Sequence, residues 1–353
     1  MDWDELLTLP VYQLSCAEKS TIFNPALLNL AQHHYQKSPE YQSIVDALYP
    51  DDLSAGKVPA LAVRLFKHHL LKSIPSEEIF KITTSSGTTS QQVSRIALDK
   101  VNVTKQQKIL SLIVREWLGP KRLPMLIIDH PSVIKDKYSY SARGVGIQGL
   151  SLFGHHHTYA LNEDMSLNLD SITAFFEQYK DEKVFVFGFT YIIWQHFIQA
   201  LLAINKTFNM PDVVVFHSGG WKKLQNIAVS NQVFKQKLQS VLGRAKIHNF
   251  YGMVEQTGTI YVECEQGYLH CPVWSDVIIH NKKSLEPEND SVEGIIQVNS
   301  LLPTSYPGHA LITEDLGEMI GHDNCACGRK GKYFIVNGRL AKAEVRGCSD
   351  TQT

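Results

Sequence analysis

The segment ITTSSGTTS, residues 82–90, places seven hydroxyl side chains around a single glycine, Gly87. Hydroxyls and free backbone N–H groups can donate hydrogen bonds to phosphate oxygens, and a glycine lets the backbone approach a ligand closely. The segment lacks the lysine that follows the glycine in the GxxxxGK[ST] nucleotide-binding pattern. From these residues alone, it is either a phosphate-binding loop or a solvated surface loop.

Beyond this loop, apolar strand-like runs alternate with amphipathic helical stretches. Buried parallel strands are predicted at 124–128, 183–187 and 212–216. Helices are predicted at 105–118, 169–179 and 191–206. This alternation predicts an α/β fold in which helices cover a parallel sheet.

The two ends of the chain are predicted to differ from this core. The N-terminal region reads as helical, with one helix starting at an N-cap Asn24 and Pro25 in its first turn. From about Tyr261 the strands become shorter and turn-rich, which predicts a β-rich subdomain. The predicted regions are a helical N-terminal region (1–75), an α/β nucleotide-binding core (76–260), a β-rich subdomain (261–337) and a C-terminal tail (338–353).

Composition and charge exclude several classes of function. The chain has 44% hydrophobic and 20% charged residues and a net charge of −1, which favours neither a nucleic acid polymer nor a membrane surface as partner. The acidic N-terminus does not resemble a signal peptide, and no apolar run approaches the ~20 residues of a membrane span. We expect a cytoplasmic protein whose six cysteines are reduced and available as metal ligands or nucleophiles.

The loop and four later segments occur in the order of the motifs of adenylate-forming enzymes. The sequence resembles that superfamily, whose phosphate loop reads roughly TSGTTG-x-PK. DVVVFHSGG (212–220) resembles the stretch beside adenine, and FYGMVE (250–255) resembles the YGxTE motif. LITED (311–315) resembles the TGD motif, and the pair at 338–339 resembles the hinge motif. The loop departs from the pattern at Ser90, where the family has glycine, and Arg95 is the nearest cation where a lysine is usual.

This resemblance implies an adenylate-forming large-domain fold, ATP and Mg²⁺ as cofactors, and specific residue roles. Tyr251 would stack on adenine and Glu255 would hold Mg²⁺. Asp315 would bond the ribose hydroxyls, and Arg339 would contact the nucleotide. The other nucleotide-binding residues that it implies are Thr84, Ser85, Ser86, Gly87, Thr88, Thr89, Ser218, Gly219, Gly220, Phe250 and Gly252.

The C-terminal stretch GRLAKAEVRGC (338–348) narrows the resemblance. It is similar to the acyl-protein synthetases of bacterial luciferase operons, related to phenylacetate-CoA ligases, in which a cysteine near the C-terminus takes the acyl group from the adenylate. Typical superfamily members continue into a small mobile domain, whereas this sequence ends fourteen residues after Arg339. The resemblance therefore implies that Cys348 accepts the acyl group of a fatty or other carboxylic acid. It also implies a downstream acceptor protein such as an acyl reductase.

Two other functions remain open at this point. The chain could adenylate an acid and pass the acyl group to a carrier-protein thiol or an amine. It could also be an inactive relative that binds nucleotide as a scaffold subunit, because the phosphate loop and the TGD-like motif are altered.

A structural Zn²⁺ site is predicted from Cys264, His270, Cys325 and Cys327. A CxC turn can present two thiolates to one metal, and a distant Cys/His pair can complete the tetrahedron. Cys271 is an alternative to His270, and buried reduced cysteines without metal are the competing interpretation. Phenylacetate-type ligases have a similar arrangement, which favours the metal site.

Three adjacent histidines at 155–157 do not suit a single metal ion, because alternate side chains of a strand point in opposite directions. They are interpreted as loop residues near the acyl pocket. The stretch SARG (141–144) together with Gly146 is interpreted as a neighbouring turn.

Overall fold

The structure, a computed structural model, describes residues 3–85, 92–134, 142–221 and 228–340. Its α-helices are α1 (Trp3–Thr8), α2 (Cys16–Lys37), α3 (Pro39–Leu48), α4 (Leu65–His68), α5 (Lys100–Leu118), α6 (Ala142–Ser151), α7 (Leu169–Gln178), α8 (Thr190–Ile192), α9 (Gln199–Ala203) and α10 (Asn231–Leu242). A π-helical segment, Ile193–Ile198, joins α8 to α9. Among the described residues, none of these helices combines the length and apolarity needed to cross a bilayer.

The strands follow the same chain order. They are β1 (Leu61–Ala62), β2 (Lys81–Thr84), β3 (Arg95–Leu98), β4 (Leu123–Ile128), β5 (Gly154–Tyr159), β6 (Val184–Phe189), β7 (Met210–Ser218), β8 (Gly243–Tyr251), β9 (Tyr261–Glu263), β10 (Leu269–His270), β11 (Ser275–His280), β12 (Gly294–Ser300), β13 (Ala310–His322) and β14 (Lys332–Arg339). The chain divides into two compact units. The first takes in the described residues of Met1–Ser85, Gln91–Ile113 and Gly252–Glu344, and the second those of Val114–Tyr251.

The second unit contains a parallel sheet in the order β8-β7-β6-β4-β5. Its central strand β6, VFVFGF, is buried along its whole length, as expected for a strand covered on both faces. The predicted strands at 124–128, 183–187 and 212–216 are confirmed as β4, β6 and β7. Helices lie between these strands in sequence, so the predicted α/β class is confirmed as well.

The first unit contains a mostly antiparallel sheet in the order β11-β12-β13-β14-β10-β9, with β1 parallel to β13. A separate two-stranded sheet is formed by β2 and β3, the strands on either side of the predicted phosphate loop. The run of strands from Tyr261 to Arg339 agrees with the predicted β-rich C-terminal part of the fold.

The predicted helix start at Asn24 and Pro25 is wrong. Helix α2 begins at Cys16, and Ser15 caps it: the Ser15 hydroxyl accepts from the Glu18 backbone N–H, while the Glu18 carboxylate accepts from the Ser15 backbone N–H. This reciprocal capping box ties up two donors of the first turn. Pro25 therefore lies inside the helix, where it removes one backbone hydrogen bond.

Two segments of the second unit also differ from expectation. The histidines at 155–157 lie on strand β5, which pairs with β4, and not in a loop. The predicted turn at 141–146 is instead the start of helix α6 in its described part. Gly146 allows close packing there, since a Cβ at this position would meet the Phe189 ring at 3.2 Å.

Candidate functional site

The stem of the predicted phosphate loop is held by a short backbone ladder in the first unit. Thr84 lies opposite Arg95 at the end of the β2–β3 hairpin. Beyond it, the Ser85 N–H donates to the Ser94 carbonyl at 3.1 Å, and the Ser94 N–H donates to the Ser85 hydroxyl at 2.9 Å. The structure thus positions the stem residues Thr84 and Ser85. The predicted loop residues Ser86, Gly87, Thr88 and Thr89 lie outside the described residues.

Glu255 is a buried carboxylic acid in the first unit, with 4% of its surface exposed. Burial raises its pKa, and the Ser94 side chain partly opposes that rise. Hydrogen bonds fix the surrounding chain: the Glu255 carbonyl accepts from the Tyr306 hydroxyl at 2.9 Å, and the Gln256 side-chain Nε2 donates to the Gly308 carbonyl at 2.9 Å. A buried carboxylate that disfavours its own charge is suited to a bound cation, and one carboxylate plus phosphate oxygens is a usual ligand set for Mg²⁺.

Asp315 and Arg339 face each other across the β13–β14 ladder in the same unit. Arg339 Nε lies 3.0 Å from Asp315 Oδ1, and Arg339 Nη2 donates to Glu314 Oε2 at 3.2 Å. Both Asp315 and Arg339 are close enough to Glu255 to influence its pKa electrostatically. Asp315 and Arg339 are therefore in direct contact, and Glu255 lies within electrostatic range of both.

Glu314 and Arg64 extend this charged group and were not predicted from the sequence. The buried Glu314 carboxylate accepts from Arg64 Nε at 2.8 Å as well as from Arg339. A carboxylate shared by two guanidinium groups fixes the direction of both, which favours a constant position for Arg339. Sequence spacing gives no signal for Arg64, since it is brought to this place by the pairing of β1 with β13.

The residues predicted to lie beside adenine gather at the carboxyl ends of adjacent strands in the second unit. Ser218 ends β7, and its hydroxyl donates to the Phe250 carbonyl at 2.9 Å near the end of β8. Gly219 follows with φ of 84°, a conformation that favours glycine. Tyr251 ends β8, and Gly220 follows Gly219. The carboxyl ends of parallel strands are where open α/β sheets bind ligands. Gly252 is the first residue of the first unit after β8.

A second charged group in this unit was also missed. Asp129, directly after β4, is buried and lies 3.1 Å from Arg143 Nε on α6. Arg143 Nη2 lies 2.8 Å from His130 Nε2, and because an arginine can only donate, His130 must accept there. The neutral ring then carries its proton on Nδ1, which is buried and has no hydrogen-bond partner within the described residues. Burial raises the pKa of Asp129 to about 6 and lowers that of His130.

The four residues of the predicted metal site come together in the first unit. The donor atoms of Cys264, His270, Cys325 and Cys327 all lie within 4.8 Å of one another. Cys264 Sγ is 3.9 Å from Cys325 Sγ, and Cys327 Sγ is 3.4 Å from His270 Nε2. A zinc ion with bonds of about 2.3 Å to sulfur separates its ligands by about 3.8 Å, so these distances fit a tetrahedral site. Of the two alternatives, His270 belongs to this cluster, and Cys271 does not.

The last predicted site residue, Cys348, lies outside the described residues. The structure therefore positions Glu255, Asp315, Arg339 and the metal ligands in the first unit. The residues at the carboxyl ends of β7 and β8 lie in the second unit.

A family model and a curated relative each match nearly the whole chain. A family model described as acyl-protein synthetase, LuxE, matches residues 3–353. The long-chain-fatty-acid–luciferin-component ligase of Vibrio harveyi is 21% identical over 360 residues, which cover 96% of this chain and 89% of that protein.

Two solved structures show the same fold. An open conformation of 2-hydroxyisobutyryl-CoA ligase in complex with 2-HIB-AMP and CoA has a TM-score of 0.69 at 15% identity, covering 94% of this chain and 77% of that one. A long-chain-fatty-acid-CoA ligase from Archaeoglobus fulgidus has a TM-score of 0.52 at 14% identity, covering 75% and 52%. These likenesses confirm the adenylate-forming fold that the motifs predicted.

Proposed function

The chain belongs to the LuxE family of acyl-protein synthetases, and on that premise we propose that it activates a long-chain fatty acid with ATP. The product would be an acyl-AMP, and the acyl group would then pass to Cys348 as a thioester. The observation that carries this proposal is the ion pair of Asp315 and Arg339, which lies within electrostatic range of Glu255 in the unit that also holds the stem of the hydroxyl-rich loop. The relative from Vibrio harveyi, whose name specifies a long-chain fatty acid, supports the substrate class.

The first step joins the acid to the α-phosphorus of ATP. A carboxylate oxygen of the acid attacks the α-phosphorus. The bond between that phosphorus and the oxygen it shares with the β-phosphorus breaks, and pyrophosphate leaves. Glu255 is the residue that would hold Mg²⁺, which would neutralise charge on the phosphates. Arg339, held in place by Glu314, supplies a fixed positive charge near the nucleotide, and Asp315 offers carboxylate oxygens to the ribose hydroxyls.

The carboxylate of the fatty acid also needs a hydrogen-bond donor from the protein. His130 provides one candidate, since Arg143 fixes its tautomer and leaves a buried Nδ1–H to be satisfied. A hydrogen bond from this N–H to a carboxylate oxygen would orient the acid without neutralising its charge. We therefore assign His130 a role in binding the acid and Arg143 and Asp129 the role of orienting His130.

The second step transfers the acyl group from phosphate to sulfur. The Cys348 sulfur attacks the acyl carbon, the bond from that carbon to the phosphate oxygen breaks, and AMP leaves. The thiol proton is lost to solvent or to a neighbouring base. A thioester keeps the acyl group activated for transfer to a partner protein. We propose an acyl reductase as that partner, because the sequence resembles the acyl-protein synthetases of luciferase operons.

We further propose that Cys264, His270, Cys325 and Cys327 bind a structural Zn²⁺. Support comes from the donor set, three thiols and one imidazole, and from separations that match a tetrahedron. All four positions are filled by protein, so the ion would stabilise the fold and would not take part in the reaction.

The experiment is acylation of the purified protein with ATP, Mg²⁺ and radiolabelled fatty acids of different chain length. The proposal predicts a label that is released by hydroxylamine, requires ATP and maps by peptide mass spectrometry to Cys348. Cys348→Ser should form acyl-AMP but lose this label, and Cys271→Ser is the matched control. Formation of acyl-AMP by the parent protein without any label on the peptide that contains Cys348 would overturn the thioester step. Transfer only to an added carrier thiol or amine would instead support the adenylating ligase, and absence of acid-dependent pyrophosphate release would support the scaffold.

A further inference from the structure

A second thiol, Cys16, lies beside a histidine and a carboxylate in the first unit. Cys16 is the first residue of the 22-residue helix α2, His322 is the last residue of β13, and Asp290 lies in the turn between β11 and β12. The three are distant in sequence, so only the fold brings them together.

The three side chains are linked by two contacts, thiol to imidazole and imidazole to carboxylate. Cys16 Sγ lies 3.8 Å from His322 Nδ1, and His322 Nε2 lies 3.1 Å from Asp290 Oδ1. An ionised carboxylate only accepts, so it holds the proton on Nε2 and leaves the lone pair of Nδ1 towards the thiol. Thiol, imidazole and carboxylate in this order form the arrangement by which cysteine nucleophiles are activated.

Hydrogen bonds other than these two contacts fix the position of Cys16. Its backbone N–H donates to both carboxylate oxygens of Asp323 at 3.0 Å, and Asp323 follows His322 directly. Asp323 is itself held by the Gly331 N–H at 2.7 Å. The start of α2 is therefore attached to the residue next to His322, which keeps the thiol and the imidazole together.

The electrostatic surroundings keep Cys16 protonated at rest. Burial and the nearby carboxylates of Asp323 and Asp276 raise the pKa of its thiol to about 11, while Lys19 and Lys332 act in the opposite direction. A thiol of this kind reacts slowly unless a base takes its proton during the attack. His322 occupies the position for that base.

The group is accessible from solvent. His322 has 40% and Asp290 51% of its side-chain surface exposed, and Cys16 is half-buried. An electrophile can therefore reach the sulfur without unfolding of the unit. The exposed setting also means that His322 and Asp290 can be replaced with little expected effect on stability.

We propose that Cys16, His322 and Asp290 form a second acyl-accepting site, which takes acyl groups from activated esters. The Cys16 sulfur attacks the acyl carbon while its proton moves to His322 Nδ1. The bond from the acyl carbon to the leaving oxygen breaks, and the proton passes to that oxygen. His322 is the general base, and Asp290 is a positioning residue that fixes the imidazole.

The physiological donor, an acyl-AMP, rests on the function proposed above, but the chemistry of the site does not. An ester such as p-nitrophenyl octanoate needs no ATP and no adenylation. Its reaction with the protein therefore tests the thiol site even if the proposed function fails. The Cys348→Ser protein is used throughout, so that Cys348 cannot contribute.

The experiment measures p-nitrophenol release and the mass of the acylated peptide at neutral pH. The proposal predicts a burst of about one equivalent per chain, with the octanoyl group on the peptide that contains Cys16. Cys16→Ser should abolish the burst. His322→Asn should slow it by roughly 100-fold, within the range that general bases contribute, and Asp290→Asn by roughly 10-fold. His68→Asn, which changes an exposed histidine on α4, is the matched control and should react like the parent.

The pH dependence separates a general base from a merely structural residue. His322→Asn and Asp290→Asn should approach the parent rate at strongly alkaline pH, where the thiol ionises without help. Equal rates for the parent and His322→Asn at neutral pH would overturn the proposal, as would a neutral-pH burst that maps to a cysteine other than Cys16.

Discussion

Acid should destabilise the first unit through two buried, stacked imidazoles, His34 and His309. Their ring centroids are 4.9 Å apart, and both side chains are fully buried. His34 has its ring nitrogens 2.7 Å from the Ser73 hydroxyl and 2.9 Å from the Pro303 carbonyl. His309 Nε2 lies 3.4 Å from the Tyr41 hydroxyl. Neither ring has a carboxylate partner among these contacts that would favour its charged form.

Burial lowers the pKa of His309 to about 3 and that of His34 well below its usual range, and the nearby rings of His309 and His33 further disfavour a charge on His34. In the unfolded chain both histidines titrate near pH 6.5. Above that pH the two histidines are neutral in both the folded and the unfolded state, so the free energy of unfolding does not depend on them. Below it only the unfolded state gains protons, so stability falls as the pH drops from 6.5 towards the folded pKa values. Linkage gives a loss of about 3 kcal/mol for the pair between pH 7.5 and 5.5, and half of that for either histidine alone.

The assay is native-state hydrogen exchange of the β12 and β13 amides, which reports the free energy of opening of the first unit at each pH. His309→Gln removes one titrating group, so the loss between pH 7.5 and 5.5 should shrink by about half of the 3 kcal/mol expected for the pair. His68→Gln, at an exposed position on α4, should leave the loss unchanged. An unchanged pH dependence in His309→Gln would refute the reasoning, whatever the stability of that variant at neutral pH.

Three further predictions concern the metal site and the two substrate-binding groups. Chelation or Cys327→Ser should remove about one zinc per chain and speed hydrogen exchange of the Lys330 amide, which donates to the Tyr12 carbonyl at 2.8 Å. Unchanged metal content would contradict the site. Asp315→Asn should raise KM for ATP by ~10-fold, the value of one charged hydrogen bond, and unaltered steady-state kinetics would argue against ribose binding. His130→Asn should raise KM for the fatty acid ~10-fold with KM for ATP unchanged; equal effects on both would remove its assigned role.

The parts of the fold that the sequence predicted are those in which local pattern and burial agree. β4, β6 and β7 each contain a continuous apolar run that is buried on both faces of the sheet. Such runs are typical of parallel strands, so these three strands could be predicted from the sequence. The start of α2 shows the opposite case. Asn24-Pro25 is a good local start signal, yet the capping box at Ser15 and the continuing contacts of the helix outweigh it.

The residues that were missed at the candidate sites share another property, since each depends on a partner far along the chain. Arg64 and Glu314 are 250 positions apart, and Cys16 and His322 are 306 apart. No short-range pattern links such pairs. His130 and Arg143 are closer in sequence. Residues 141–146 were predicted to form a turn, however, so the helix that carries Arg143 was not predicted. The metal ligands were found because cysteine and histidine are few and their chemistry limits the alternatives.

The most direct measurement of the central claim follows oxygen atoms from the acid. The protein is incubated with ATP, Mg²⁺ and a long-chain fatty acid that carries ¹⁸O in both carboxylate oxygens, and the nucleotide products are analysed by mass spectrometry. Attack of the carboxylate on the α-phosphorus predicts AMP that contains one ¹⁸O atom and pyrophosphate that contains none. Unlabelled AMP, or ADP together with ¹⁸O-labelled phosphate, would contradict adenylation of the acid.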